Sequence, residues 1–518
     1  MTISAQHPQS VRDLRADLEA ARFTVDALDE LWGTDAAAAL HRGQRVPALR
    51  AIENSRALEN SRALSGDTGA LATLARLFVL GLSVGVDELT IALPETGLTG
   101  AELLGLVEVT AGTVHPAVDL RPYSFVDSQG VGSWWIASDL GELSTGTALR
   151  EDHVLGVGGA STTLSGLMVD SHVGTVLDIG TGCGIQALHA ARHARLVVAT
   201  DISARALAFA GFNAALNRVT NIELRLGSLF DPVAGQRFDR IVSNPPFVIT
   251  PRGEAVPAYE YRDGGMVGDA LVASVVDGVE AHLTEGGIAQ LLGNWEYRGS
   301  EDGPKPEGGL ARVESWVAAT GLDAWVIERE VQDVALYAET WIRDGGTRPG
   351  AEFDRLSNAW LDDFDERGVT AVGFGYLTLR RPRGTSTLRR FERLDGAVGT
   401  GLGPHIEASI AAWDRQFALD DDELSRLLLT VAADVTEQRH YWPGDEHPTV
   451  MDLRQGSGFQ RSIPLDTGLA ALVGACDGEL SVRAIIAAIA ELLEVDEVEL
   501  RGELLPRIRQ LLVDGFLR

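Results

Sequence analysis

Cysteine is scarce in this chain. Cys183 and Cys476 are the only two among 518 residues, which excludes a disulfide framework and fits a reducing compartment. Lysine is almost absent: Lys305 stands alone, so arginine carries nearly all the positive charge, as a nucleotide-composition bias toward Arg codons would produce. Long apolar runs are missing too, and no stretch reaches the roughly 18 residues of a membrane span. The opening MTISAQHPQSVRDLRADLEA has no apolar core of the kind a secretory signal needs, so a cytoplasmic protein with no membrane partner is expected. Positive charge is short overall, with 44 Lys+Arg against 74 Asp+Glu, a net charge of −30 and a pI of about 4.7. That excess repels a phosphate backbone at long range and excludes a protein that wraps nucleic acid with its whole surface.

What remains is the composition of a globular protein, 45% hydrophobic and 23% charged, long enough for two to four domains. Residues 1–66 predict a helical region, with Leu14, Leu18, Ala21 and Val25 at helical spacing and a tandem hexamer, ENSRAL twice over 53–64, lengthening one polar helix. Residues 67–148 predict three short helices and then a hairpin from TVHPAVDLRPYSFV and GSWWIAS, a winged-helix-like module. From 149 to 388, seven apolar strands alternate with amphipathic helices. VGTVLDI, RLVVATD, IELRLG, RFDRIVSN, GIAQLLG, DAWVIERE and AVGFGYLTLR predict a doubly wound α/β fold with a seven-stranded Rossmann-like sheet. The long connection 331–369 predicts a helical insertion over the site. Residues 389–462 read as a helical connector that ends in a linker at Gln455–Ser462, and 463–518 as a second winged-helix-like domain.

The chemistry starts at VLDIGTGCG, an apolar strand running into a glycine-rich turn and a helix. Glycines there let backbone approach a ligand closely. Asp178 before the first glycine would repel a pyrophosphate but hold a cationic amino group. Asp201, ending the second strand, suits a bidentate hydrogen bond to a ribose diol. An amino-acid ammonium and a ribose without phosphate describe S-adenosylmethionine better than a dinucleotide. The fourth strand ends in Asn244-Pro245-Pro246-Phe247. Two prolines fix the backbone, and the Asn244 side-chain oxygen and the Pro245 carbonyl can together accept both hydrogens of one planar NH2 group. Such a nitrogen is a poor nucleophile, and accepting its hydrogens builds charge on it and aligns it for attack on a sulfonium methyl. Phe247 would stack on the flat acceptor.

VLDIGTGCGIQAL, VVATDISARALAFAGFNAALN and FDRIVSNPPF, with Tyr261-Arg262-Asp263-Gly264-Gly265 downstream, resemble class I S-adenosylmethionine-dependent methyltransferases of the HemK type over roughly residues 150–300. These act on the glutamine amide of translation release factors. The resemblance implies S-adenosylmethionine as cofactor, held by Asp178, Gly180, Thr181, Gly182, Asp201, Ile202, Ser228, Leu229 and Asn244, with Asn244, Pro245, Pro246 and Phe247 catalytic. It implies a protein substrate such as a translation factor. Two positions depart from the pattern. Ser228 stands where an acidic residue near the adenine amine is usual, and Phe247 where the glutamine enzymes carry tyrosine. Enzymes acting on exocyclic base amines often end in phenylalanine, so a base amine in structured RNA is the alternative acceptor. A non-catalytic cofactor-binding scaffold is the alternative from another class, and the amine-holding Asn-Pro-Pro argues against it.

Three further features bear on partners. His153–Thr163 is glycine-rich and suits either a hinged cofactor-covering loop or an interdomain linker. RRPRGTSTLRRFER at 380–393 holds six arginines and is either an RNA contact or a hairpin whose arginines pair with the chain's own carboxylates. His440, Tyr441, Trp442 and His447 fit no zinc spacing and read as packing residues with no metal.

Overall fold

The computed structural model describes residues 3–62, 67–145, 149–252, 256, 262–299, 308–399 and 401–518. They fall into two compact units: one built from residues up to Ser165 with His172–Arg393, the other from Gly166–Ser171 with Leu394–Arg518. Among the described residues no helix is long and apolar enough to cross a membrane.

The first unit begins with helices Pro8–Ala20, Val25–His41, which is broken by a kink at Gly33 (φ +77°), and Val46–Arg62. The second copy of the hexamer ends outside the described residues, and the last helix ends at Arg62. Next come a helical segment from Asp67 to Val79, helices Val86–Ala92 and Gly97–Leu103, and a small sheet in which Thr113–Pro116 lies between Val84–Gly85 and Val107–Thr110. The expected hairpin is drawn differently. Strand Thr113–Pro116 turns back on Val107–Thr110, whereas Asp119–Asp127 and Gly130–Ser138 form a separate hairpin of two nine-residue strands. Pro116 and Pro122 blurred that division, because a periodic apolar pattern carries no mark of which strand it pairs with.

The central sheet has strands β1 (Val173–Ile179), β2 (Ala194–Asp201), β3 (Ile222–Leu226), β4 (Phe238–Ser243), β5 (Leu283–Arg298), β6 (Asp323–Asp333), β7 (Val369–Arg380) and β8 (Arg389–Arg393). Their order is β8-β6-β7-β5-β4-β1-β2-β3, with β7 antiparallel to both neighbours and the rest parallel. The seven expected strands are present, and β8 is an eighth. It lies beyond the boundary expected at 388 because RRFER has too many arginines to look like a strand, yet it pairs along Ala324–Glu328 of β6. Strand order reverses between β1 and β4, where a doubly wound sheet opens a crevice at the carboxyl ends of its strands.

The arginines of 380–393 are largely used inside the fold. Arg380 donates two bonds to buried Asp323 (2.9 and 2.6 Å), Arg393 donates to buried Glu328 (2.6 Å), and Arg390 pairs with Glu392 at 2.8 Å while lying over the Trp325 ring. Of the two readings of this run, internal pairing is the one the geometry supports.

The sheet is covered on both faces. Helices α1 (Ile185–Ala191) and α2 (Ala204–Leu216) follow β1 and β2, and α3 (Ala270–His282) and α4 (Gly309–Ala318) flank β5. One continuous core joins Leu14, Leu18 and Phe23 of the N-terminal helices, Phe78 and Leu104 of the next segment, and Phe209, Phe212 and Leu216 of α2. The boundaries expected at 66 and 148 therefore cross a shared interior. Two asparagines one helical turn apart on α2 complete this junction by acting as a strand edge. Asn213 accepts from the Ala137 N–H (2.8 Å) and donates to its carbonyl (2.9 Å); Asn217 does the same with Trp135 (3.0 and 2.8 Å).

The insertion forms an antiparallel helix pair, α5 (Val334–Asp344) and α6 (Ala351–Glu366). Tyr337, Ile342, Leu356, Trp360 and Phe364 make its core with Val248, Ile249 and Val372.

The second unit corrects the expected helical connector. It has helices Leu402–Phe417 and Asp421–Ser425, but also an antiparallel sheet of Val435–His440, Val450–Gln455 and Ser462–Pro464. The presumed linker 455–462 is the turn between two of these strands. His440, Tyr441, Trp442 and His447 are exposed rather than packed, with Trp442 67% accessible. Helices Thr467–Gly474, Val482–Leu493 and Glu497–Val513 share one core with Leu424, Leu429 and Leu453, so 389–462 and 463–518 are not separate bodies.

Candidate functional site

At the carboxyl ends of β1, β2 and β4 lies a cleft of about 370 Å³. Its floor is the turn after β1. Gly180 and Gly182 take φ of +71° and +55°, a region that costs L side chains energy, and Gly184 (φ +86°) starts α1 where a Cβ would come within 3.0 Å of Ala210 Cα. These glycines bring bare backbone to the cleft and seat α1 against α2.

Gly180, Thr181, Gly182, Asp201, Ile202, Ser228, Leu229 and Asn244 all line the cleft, as do Pro245 and Pro246. Strands 20 to 60 residues apart in sequence thus bring the expected residues together. Ile202 is 62% exposed and offers an apolar face. Two of the expected residues sit differently. Asp178 is fully buried beneath the turn, where it accepts the Thr181 hydroxyl (2.6 Å) at Oδ2 while Oδ1 has no partner among the described residues. Burial pushes its carboxyl up to about 7; the Thr181 hydrogen bond opposes this and the nearby Asp201 charge adds to it. Phe247 does not line the cleft. It forms a bridge with Asp263 and packs its ring 5.5 Å from Phe374 and 6.4 Å from Trp341, because the insertion presents an apolar cluster to that side of the loop.

Asp201 has both oxygens engaged with backbone. Oδ2 accepts from the Gly182 N–H and Oδ1 from the Ser203 N–H, each at 2.9 Å. Burial also raises its pKa, against these hydrogen bonds. The carboxylate therefore ties the end of β2 to the glycine turn, and its remaining lone pairs face the cleft it lines.

Asn244 is held by its neighbours rather than by its own side chain. Ser243 donates to the Ile179 carbonyl (2.8 Å), locking β4 to β1, and the Ile249 N–H donates to the Tyr337 hydroxyl (3.0 Å), fixing the far side of the loop to the insertion. The Asn244 Oδ1 is buried and has no hydrogen-bond partner among the described residues. A buried acceptor left open costs energy unless something supplies its donor.

The remaining walls came less directly from the sequence. His153–Gly156 and Ser161 line the cleft, so the glycine-rich segment is a wall of the site rather than a remote linker. Gln186 donates to the Ser161 carbonyl (2.7 Å) and anchors it. Asp263, Gly264, Gly265 and Met266 close the opposite side; Asp263 pairs with Arg252 at 2.6 Å. Tyr261 lies outside the described residues. The signals for these walls were the glycine-rich segment 153–163 and the Asp263-Gly264-Gly265 run quoted for the resemblance.

The donor set fits S-adenosylmethionine on the structure's own terms. Asp178 keeps a buried oxygen without a donor among the described residues, and the glycine turn leaves backbone open to a ligand. Among the described residues no cluster of three metal-ligating side chains occurs.

Residues 156–256 match a family described as the methyltransferase small domain, and residues 20–117 match a domain of unknown function (DUF7059). A release factor glutamine methyltransferase of Geobacter sulfurreducens is 42% identical over 128 residues, 22% of this chain and 44% of that protein. A ribosomal protein uL3 glutamine methyltransferase of Bradyrhizobium diazoefficiens is 33% identical over 182 residues, 31% of this chain and 56% of that protein. The chain spans about half the length of the curated relatives it matches. A solved ribosomal protein L11 methylase of Lactobacillus delbrueckii is 22% identical over 46% of this chain and 83% of its own, with a TM-score of 0.26, too slight a likeness to add to the fold.

Proposed function

Because residues 156–256 belong to the class I S-adenosylmethionine-dependent methyltransferases of the HemK type, we propose that this chain methylates the side-chain amide nitrogen of a protein glutamine. The observation that carries this reading is the buried Asn244 Oδ1, unpartnered among the described residues, beside Pro245 in the cleft.

When bound, S-adenosylmethionine supplies an electrophilic methyl on a sulfonium sulfur. The glycine turn, Asp178 and Asp201 would hold the methionine and ribose parts, and Ile202, Ser228 and Leu229 would receive the adenine. Asn244 Oδ1 accepts one amide hydrogen and the Pro245 carbonyl the other. That contact would orient the amide nitrogen and build negative charge on it for attack on the methyl the cofactor would supply, and the surplus amide proton would pass to solvent water once the nitrogen is methylated. Phe247 acts through packing, fixing the loop against Phe374 and Trp341, and is a positioning residue rather than a stacking platform.

A release or ribosomal factor is the kind of substrate the relatives' names suggest, and the cytoplasm is where it would be met. The arrangement of 67–116, three helices with a middle strand closing the sheet, supports a winged-helix-like module, as does the helix–strand–helix–helix run of 467–513. We assign both to protein contacts, since the arginines of 380–393 are engaged internally. The test is methyl transfer from labelled S-adenosylmethionine into a cell lysate, followed by exhaustive enzymatic digestion to free amino acids, which leaves the side-chain amide intact. Protease-sensitive label recovered as N5-methylglutamine is expected; label removed by RNase alone would replace this reading with base methylation.

A further inference from the structure

A second cavity, of about 540 Å³, lies between the N-terminal helix Val25–His41 and the hairpin strand Asp119–Asp127. It is a different space from the cofactor cleft, but His153, Leu155 and Gly156 line both, so one thin segment separates them. Its walls mix apolar and aromatic surface from Leu28, Trp32 and Tyr123 with the carboxylate of Asp29. Trp32 is only 9% exposed, and its indole N–H has no acceptor among the described residues. The other charges on the wall are matched: Asp119 with Arg121 at 2.8 Å, and Asp139 with Arg205. Asp29 alone is exposed and without an ion-pair partner among the described residues.

An orphan donor, two aromatic rings and one uncancelled carboxylate ask for a specific occupant. It should carry a cation on an apolar stem, which the rings and Asp29 attract, and a neighbouring carbonyl to take the Trp32 N–H. A lysine or arginine side chain with its own peptide carbonyl has all of these. We propose that this cavity receives a basic side chain of the polypeptide substrate, flanking the methylated glutamine, and so rests on the substrate class proposed above. Its position gives a further consequence. Asp139 accepts the Val154 N–H (2.8 Å), tying the shared wall to the cavity side, so an occupant that orders this wall also favours cofactor binding, and the coupling is reciprocal.

Isothermal titration of the full chain with short blocked peptides that contain lysine or arginine but no glutamine tests the cavity apart from the chemistry. Such peptides should bind more tightly with S-adenosylhomocysteine present, and their acetyl-lysine counterparts should bind far less. Asp29→Asn and Trp32→Phe should each weaken the basic peptides, by roughly tenfold for the charge, while binding S-adenosylhomocysteine alone as the parent does. Basic peptides that fail to bind, or bind both variants equally, would overturn the inference even where glutamine methylation is found. Binding lost in both variants with no glutamine product would leave the cavity assigned and remove the substrate reading. Equal affinity for free alkylamines would replace the peptide with a small amine.

Discussion

In the proposed reaction the Asn244 carboxamide does one thing: its Oδ1 accepts a hydrogen bond from the reacting nitrogen. Asn244→Ala should therefore lower kcat by at least ~10²-fold, about 3 kcal/mol of transition-state stabilisation, with little change in cofactor affinity by titration. Asp178 makes a pH prediction. Its carboxyl is raised from 3.8 in the unfolded chain to about 7 in the fold, so the native state binds the extra proton. The fold's advantage is complete below about pH 4 and is lost as pH rises through about 7. Thermal melts of the ligand-free protein should fall over that window, and Asp178→Asn should flatten the fall. Cofactor affinity should run the opposite way, rising with pH as the carboxylate forms to meet a cation. Much of the candidate site's placement was legible in the sequence, because Asp178-Ile-Gly and Asn244-Pro-Pro are contiguous and each lies at the end of a strand of one sheet. The burial of Asp178 and the turn of Phe247 away from the cleft were not. Both depend on neighbours, Thr181 beneath the turn and Phe374 on a strand 127 residues later, that no local pattern names.

Among the elements, the α5–α6 insertion has the clearest structural duty. The Tyr337 hydroxyl accepts from both the Ile249 N–H (3.0 Å) and the Asn294 side chain (2.6 Å), holding the stretch after Pro246 to β5. Tyr337→Phe strands two buried donors. It should lower the unfolding free energy by about 1–3 kcal/mol in urea and reduce kcat by less than Asn244→Ala does, with cofactor affinity kept. The seven parallel and antiparallel strands could be expected from their apolar runs. The eighth could not, since RRFER owes its place to Glu328, a buried carboxylate that also accepts from Trp295 and Tyr297 at 2.7 Å. The antiparallel sheet at 435–464 was hidden for a related reason: its strands are polar and mostly exposed, with Leu453 as their main apolar anchor.

At the scale of the molecule, charge and core set the terms. With a net charge of −30 and its densest arginine run engaged in internal pairs, the chain should bind structured RNA no more tightly than ~100 μM at physiological salt, measured by filter binding. A tight, salt-sensitive complex would contradict the charge argument. The core shared between the N-terminal helices and α2 has a different consequence, for the newborn protein. A ribosome makes Leu14 and Phe23 long before Phe209 and Phe212, and the backbone of Trp135 and Ala137 must wait for Asn213 and Asn217. Until α2 has left the exit tunnel, the first 140 residues have no finished interior, and a chaperone has its longest opportunity there. For the same reason the N-terminal part cannot be exchanged for that of another enzyme without replacing the face of α2 that closes it.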